Sequence, residues 1–111
     1  MATPRELRLS VDRRTLTVTM DDGARAALPA ELLRVESPSA EVQGHDPSQK
    51  VLVRAKGDVR IVRVEPVGRY AVRLVFDDGH ETGIYSWRVL ERFVRDGEAM
   101  LSAYRRAISA V

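Results

Sequence analysis

The stretch YAVRLVFDDGHETGIYSW, Tyr70 to Trp87, decides how this chain folds. Tyr70, Val72, Leu74 and Phe76 recur at every second position, with Arg73 pointing the other way. That period belongs to a strand with one face on a core. Asp77-Asp78-Gly79 then supplies the positive backbone angle that a hairpin turn needs, and His80 to Tyr85 returns as the partner strand. After Ser86 the period changes. Trp87, Leu90, Val94, Leu101, Tyr104 and Ile108 fall on one helical stripe, with Arg88, Arg92, Arg95 and Arg105 largely off it. Ser86 is placed to cap that helix. Gly97 lies on the stripe and predicts a break or kink. The expectation is a helix from Trp87 to about Arg95, then a second helix or a continuation to Ser109.

The same plan occurs earlier in the chain. In LRLSV, Leu7, Leu9 and Val11 alternate with polar residues; in TLTVTM, Leu16, Val18 and Met20 alternate with threonines. Asp12-Arg13-Arg14 joins the two as a hairpin. Asp21-Asp22-Gly23 is a second Asp-Asp-Gly turn, and Ala24 to Leu28 returns from it. Pro29 suits the first turn of a helix and Pro38 stops one, which predicts one or two turns over Pro29 to Val35. Ser37 to Gln49, with two prolines, a glycine and three serines, reads as a loop long enough to be functional. Val51 to Arg54 reads as a short strand, and Gly57-Asp58 as a turn. In VRIVRVEP, Arg63 falls on the face of Val59 and Ile61, which predicts a bulge or an edge position. The fold class is therefore α+β: a mostly antiparallel β-sheet built from hairpins, with a C-terminal helix packed on one face.

Composition narrows the chemistry. The chain has 111 residues and no cysteine, which excludes disulfides, thiolate metal sites and cysteine nucleophiles. Its pI is 9.4, but the formal charge is only +2. Lys50 and Lys56 are the only lysines among 18 basic residues. Arginine does not titrate below pH 12, so a small positive excess gives a high pI. Acids and bases are interleaved, which speaks for a mixed solvated surface and against a nucleic-acid footprint. With two Phe, three Tyr and one Trp there is no base-stacking platform. No apolar run approaches the ~20 residues of a membrane span, and the N-terminus has no apolar signal core. A soluble cytoplasmic protein is expected.

The candidate site residues cluster around the second Asp-Asp-Gly. The first copy is followed by Ala24, without chemistry in reach; the second is followed by His80, Thr82, Tyr85 and Trp87. Asp77 and Asp78 are adjacent in a turn and point apart, which disfavours an acid–base pair on one substrate. His80 reads first as a structural histidine beside a turn. His45 is the only other histidine, and together with Asp46, Asp77 or Asp78 the two would make a His₂-carboxylate site, which the spacing does not demand. No Gly-x-Ser-x-Gly elbow and no phosphate-binding glycine loop is present. Tyr70, Tyr85 and Trp87 read as core aromatics with polar edges; lining a small pocket is the alternative. The C-terminal stripe either packs on the sheet or serves self-association or a partner.

Three segments carry a resemblance. LPAELLRVESPSAEVQGHDP (Leu28–Pro47), VEPVGRYAVRLVFDDGHETGIYSW (Val64–Trp87) and the leading hairpin resemble the gamma-butyrobetaine hydroxylase-like N-terminal domain, a family catalogued in bacteria as a domain of unknown function. The resemblance covers about Leu7 to Phe93, so residues 1–94 are taken as that domain and 95–111 as a helical extension. It implies a structural zinc with three cysteines and the histidine of the Asp-Gly-His turn as ligands. Here the cysteine positions fall on Ser37, Ser39 and Val42, and the histidine on His80. An altered metal site of His45 and His80, with a divalent metal such as zinc, follows if the loop folds back toward the turn. Similar domains fused to P-loop ATPases that carry iron–sulfur clusters imply an accessory role in cluster or metal handling.

The resulting expectation is a non-enzymatic accessory or protein-interaction module. Its surface is Arg34, His45, Asp78, His80, Tyr85 and Trp87. His45 and His80 contact a metal or partner, Arg34 holds the loop through backbone carbonyls or an acid, and Tyr85 and Trp87 form the wall beneath. The alternative is a metal-binding domain or metal-dependent enzyme using His45, His80 and a carboxylate. The expected partner is a protein, with self-association through the C-terminal helix as a second possibility, and neither nucleic acid nor membrane.

Overall fold

Leu16, Val18 and Met20 are fully buried, while the threonines between them are not all so. The alternation in the sequence is thus the alternation of the strand β2 (Thr15–Met20). The computed structural model describes residues 2–110, the side chain of Pro47 excepted. β2 is the centre of a three-stranded antiparallel sheet, flanked by β1 (Pro4–Leu9) and β3 (Arg25–Pro29). Pro29 then caps α1 (Ala30–Val35) in extended conformation. A second three-stranded antiparallel sheet has β5 (Ala71–Phe76) at its centre, between β4 (Ile61–Val67) and β6 (Ile84–Ser86). α3 (Trp87–Ser109) follows β6 without a linker. Between the two units lie α2 (Ala40–Gln43) and a single 3₁₀ turn, Pro47–Gln49.

The α+β class with antiparallel hairpins holds, with two small sheets in place of one. They meet where Ile61 N–H donates to Arg13 O at 2.8 Å and Arg13 Nη1 donates to Val62 O at 2.7 Å. One core joins them: Leu16, Val18 and Met20 from the first sheet, Ile61, Leu74, Phe76 and Tyr85 from the second, Leu90 and Phe93 from α3. The bulge expected near Arg63 is present, as a register shift between Ile61 and Arg63 against β5. The Ser86 hydroxyl accepts from Val89 N–H and starts α3.

Several local expectations are corrected. α3 runs unbroken through Gly97, which is buried. A Cβ at Gly97 would lie 3.2 Å from Leu32 Cδ2 and 3.3 Å from Leu28 Cδ2. The glycine therefore marks close packing of α3 on β3 and α1, and this contact outweighs the ~1 kcal/mol propensity cost of glycine. The buried helical stripe is Leu90, Phe93, Gly97 and Tyr104; Phe93 belongs to it, whereas Trp87, Val94 and Leu101 only border the core. Tyr70 precedes β5 in the turn and is 62% exposed, not core. Val11 lies beyond the end of β1 and is fully exposed. Val51–Arg54 has no regular secondary structure, and the returning strand is short, Ile84–Ser86, with His80–Gly83 outside it. Among the described residues no helix is long and apolar enough to cross a membrane.

Candidate functional site

The Asp77-Asp78-Gly79 turn aims His80 inward. Gly79 has φ +91°, its N–H donates to Phe76 O at 3.1 Å, and Phe76 N–H donates to His80 O at 2.9 Å. Asp78 Oδ1 accepts from His80 N–H at 3.1 Å and closes the turn from the side. The His80 side chain is only 2% exposed. Its ring packs on Phe76 with centroids 6.0 Å apart.

The chain leaving α1 folds beneath this ring. Ser37 Oγ lies 3.0 Å and Ser39 Oγ 3.4 Å from His80 Nε2, and both serines are buried. Glu41 Oε2 lies 3.4 Å from Nδ1 on the other side. A carboxylate there favours the proton on Nδ1, leaving Nε2 to accept from a serine hydroxyl. Further bonds fasten the same loop: Gln43 Nε2 donates to Ser37 O at 2.9 Å, and Thr82 Oγ1 to Glu41 Oε1 at 3.0 Å. The returning chain passes without a side chain at Gly83, where a Cβ would lie 2.5 Å from Ser37 Oγ. Tyr85, fully buried, donates its hydroxyl to Leu33 O, and burial pushes its phenol well up.

Asp78 carries the charged half of the site. Arg34 Nε donates to its Oδ2 at 2.8 Å, and Lys56 Nζ lies 2.8 Å from the same oxygen. The Asp78 side chain is 17% exposed. Burial alone would raise its carboxyl, but the bonds from Lys56, the His80 N–H and Arg34 outweigh this and hold it at about 2. His80 is held toward its neutral form. Burial, then the Arg34 charge, lower its pKa, against the opposing pull of Glu41 and Asp78. Arg34 Nη1 is buried and has no hydrogen-bond partner among the described residues.

Of the residues singled out in the sequence, Arg34, Asp78, His80 and Tyr85 belong to this one cluster. Arg34 engages an acid, one of the two partners expected for it. His45 is exposed; its N–H donates to Gln49 Oε1 at 2.8 Å, and its neighbours are Gln43, Gly44, Asp46 and Lys50. It is not among the groups at the His80 ring. Trp87 is also elsewhere: its Nε1 donates to Arg69 O at 2.7 Å and its N–H to Tyr70 O, at the turn between β4 and β5. Sequence reading named Thr82 but missed its partner Glu41, and it missed Lys56. Only Glu41 had a signal, as the acid inside the serine-rich loop.

The donor set decides about zinc. Such sites are built from thiolates, imidazoles and carboxylates. Here Ser37 and Ser39 bring neutral hydroxyls to the one imidazole, and Val42 brings no donor. Among the described residues no group of three or more His, Cys, Asp and Glu is placed to hold a metal. The residues present do not fit the zinc that the resemblance implies. They fill its place with hydrogen bonds.

The family described as gamma-butyrobetaine hydroxylase-like, N-terminal, matches residues 7–91. The chain belongs to that family. Solved structures of similar proteins agree. A crystal structure of a protein of unknown function of the DUF971 family, from Acidithiobacillus ferrooxidans ATCC 23270, is 40% identical. It aligns over 83% of this chain and 92% of its own, with a TM-score of 0.68. A protein solved by NMR is 44% identical over 99% of this chain and 82% of its own, TM-score 0.82. A second NMR structure is 40% identical over 98% and 86%, TM-score 0.83. Among curated proteins none matches the chain. As a gamma-butyrobetaine hydroxylase-like N-terminal domain, it keeps the histidine of the Asp-Gly-His turn and puts serine and valine where the resemblance implies cysteine.

Proposed function

We propose that this chain is a non-enzymatic interaction module that presents the Ser37–Gln49 loop and the Asp-Gly-His hairpin to a partner protein. The observation that carries this reading is the state of His80. Its ring is 2% exposed, with a serine hydroxyl at one nitrogen and a carboxylate at the other. A general base must reach the proton it removes, and here both nitrogens of the buried ring are turned to groups of the chain itself, Ser37 and Glu41. The ion pair of Arg34 and Asp78 and the bond of Thr82 to Glu41 fix the loop on the hairpin. A loop held in one shape loses less entropy on binding a partner. Among the residues of this surface that stay exposed are His45, Asp46 and the rim residue Glu81. The link to iron–sulfur or metal handling, drawn from the resemblance, says where that partner is to be sought.

The test is quantitative affinity capture with a His45→Ala, Asp46→Arg, Glu81→Arg variant beside the unchanged chain. All three residues are exposed, so the amide spectrum stays that of a folded domain. Loss of a specific partner is expected. Retention of every partner at the unchanged level sinks the proposal.

A further inference from the structure

We infer that the groove between the 50–54 segment and the second half of α3 docks an acidic amphipathic helix of a partner protein; this rests on the reading that the chain is an interaction module. The groove encloses about 350 Å³. Val51 and Leu52 form one wall, and Met100, Ala103, Tyr104 and Ala107 the other. Val51 and Leu52 are 49% and 40% exposed. Two adjacent large apolar side chains in water are costly unless something covers them.

Their backbone is nonetheless held. Val51 N–H donates to Val42 O at 2.7 Å, and the Tyr104 hydroxyl donates to Val53 O at 2.6 Å. The segment thus stands off the helix at a fixed distance, with side chains turned to solvent and main chain engaged. On the helix side the spacing 100, 103, 104, 107 is one continuous stripe. Ala103 and Ala107 keep its floor low.

Charge selects the occupant. Glu36, Lys50 and Arg92 line the same groove. Lys50 is paired with Glu36 at 2.6 Å. On α3, Arg95 pairs with Asp96 and Arg105 with Glu31, whereas Arg92 makes no ion pair among the described residues. An apolar floor beside an uncompensated guanidinium suits an apolar stripe flanked by carboxylates. Size points the same way. A standard interface between folded chains takes about 800 Å² per partner, whereas this groove offers six apolar side chains, the scale of one helix laid in through i, i+3, i+4 and i+7 anchors. The site is also continuous with the loop proposed above, since Glu36 and Lys50 flank that loop at either end.

The probe is a synthetic helical peptide with leucines at i, i+3, i+4 and i+7 and glutamates beside them, titrated into the ¹⁵N-labelled full chain. Shifts are expected at the amides of Val51, Leu52, Met100, Ala103, Tyr104 and Ala107. Affinity is expected to fall at least about tenfold, the worth of one good contact, for Arg92→Glu, for Val51→Ser with Leu52→Ser, and for a peptide with lysine in place of glutamate. These side chains are exposed, so the melting temperature serves as the folding control. Absent shifts at the groove, or equal binding of the lysine peptide, overturn the inference. So does a dimer in sedimentation whose formation shifts the same amides without peptide, since the occupant is then a second copy. The His45, Asp46, Glu81 variant separates the two readings: it is expected to bind the peptide unchanged. If the peptide fails while that variant still loses its cellular partner, the groove falls and the loop stands.

Discussion

In the β2–β3 hairpin, Gly23 has φ +93°, its N–H reaches Met20 O at 3.1 Å, and Met20 N–H reaches Ala24 O at 2.7 Å. In the β5–β6 hairpin, Gly79 has φ +91°, and the equivalent bonds to Phe76 O and His80 O are 3.1 and 2.9 Å. Even the side bond repeats: Asp22 Oδ1 takes Ala24 N–H at 2.9 Å, and Asp78 Oδ1 takes His80 N–H at 3.1 Å. Three identical residues build one turn twice. They differ in what the turn meets. Ala24 faces solvent, while His80 faces Ser37, Ser39 and Glu41, and Asp78 gathers Arg34 and Lys56. Local sequence sets the turn; the site comes from the loop folded against it.

The largest expected effect comes from giving the second turn what the first can never have. Cysteine at Ser37, Ser39 and Val42 together, with His80 kept, completes a four-ligand set. Structural zinc in such sites binds with about 10–16 kcal/mol. The variant is expected to take one cobalt(II), read from thiolate absorption, and to lose it on His80→Ala. A folded variant without metal would show that the two serines do not stand in a ligand shell.

Next is the aspartate pair. Asp78→Ala leaves Arg34 largely buried without its acid and is expected to cost about 3 kcal/mol. Asp22→Ala loses one exposed turn bond, at about 0.5–1 kcal/mol. Urea unfolding of both variants checks the gap, and equal losses would mean that the charged cluster adds nothing to the turn.

His80→Ala strands the buried serine hydroxyls and is expected to cost about 2 kcal/mol, while Ala24→His, on an exposed position, changes little. The pH profile sharpens this. The folded His80 resists protonation, so the unfolded chain takes its proton first as pH falls through about 6.5. Stability declines from there down to the folded pKa. Asp78, held at about 2 against an ordinary 3.8, contributes above pH 3.8 and loses that contribution as pH falls to 2. Unfolding free energy against pH is expected to show both declines, the upper one absent in His80→Ala.

The smallest effect should be no difference at all. At both Gly23 and Gly79 a Cβ would find nothing within 4 Å, so alanine at each meets only the backbone penalty, about 1 kcal/mol. Thermal melts of the two variants are expected to coincide. A larger loss at Gly79 would mean that the turn in the site carries strain its twin does not.

Reading by period works where a residue's environment is set by its own strand or helix. The alternation of β2, the two turns, the stop after Val35, the bulge at Arg63 and the cap at Ser86 all depend on near neighbours. Period two does not say where a strand ends, which is why it puts Tyr70 and Val11 on faces the strands do not reach. Glycine propensity speaks for a break at Gly97, but Leu28 and Leu32 approach from other elements and reverse the reading. Of the site, Arg34, Asp78, His80 and Tyr85 can be picked out because motif and chemistry coincide there. Glu41 and Lys56 arrive through the segment between the two sheets, whose path no local pattern encodes. Trp87 is next to Ser86 in sequence but at the far end of a strand from the turn.

The outer strands of the two sheets matter for behaviour in concentrated solution. Each outer strand that opens a unit, β1 and β4, carries a proline, a register shift and a pair of opposite charges: Pro4, the shift before Glu6 and the Glu6–Arg8 pair in one; Pro66, the shift before Arg63 and the Arg63–Glu65 pair in the other. Proline removes a donor from an open edge, a bulge twists it, and charge keeps a second edge away. At these two edges a neighbouring molecule is denied a template for growing β-fibrils, so crowding does not zip β1 or β4 onto a strand of the next molecule.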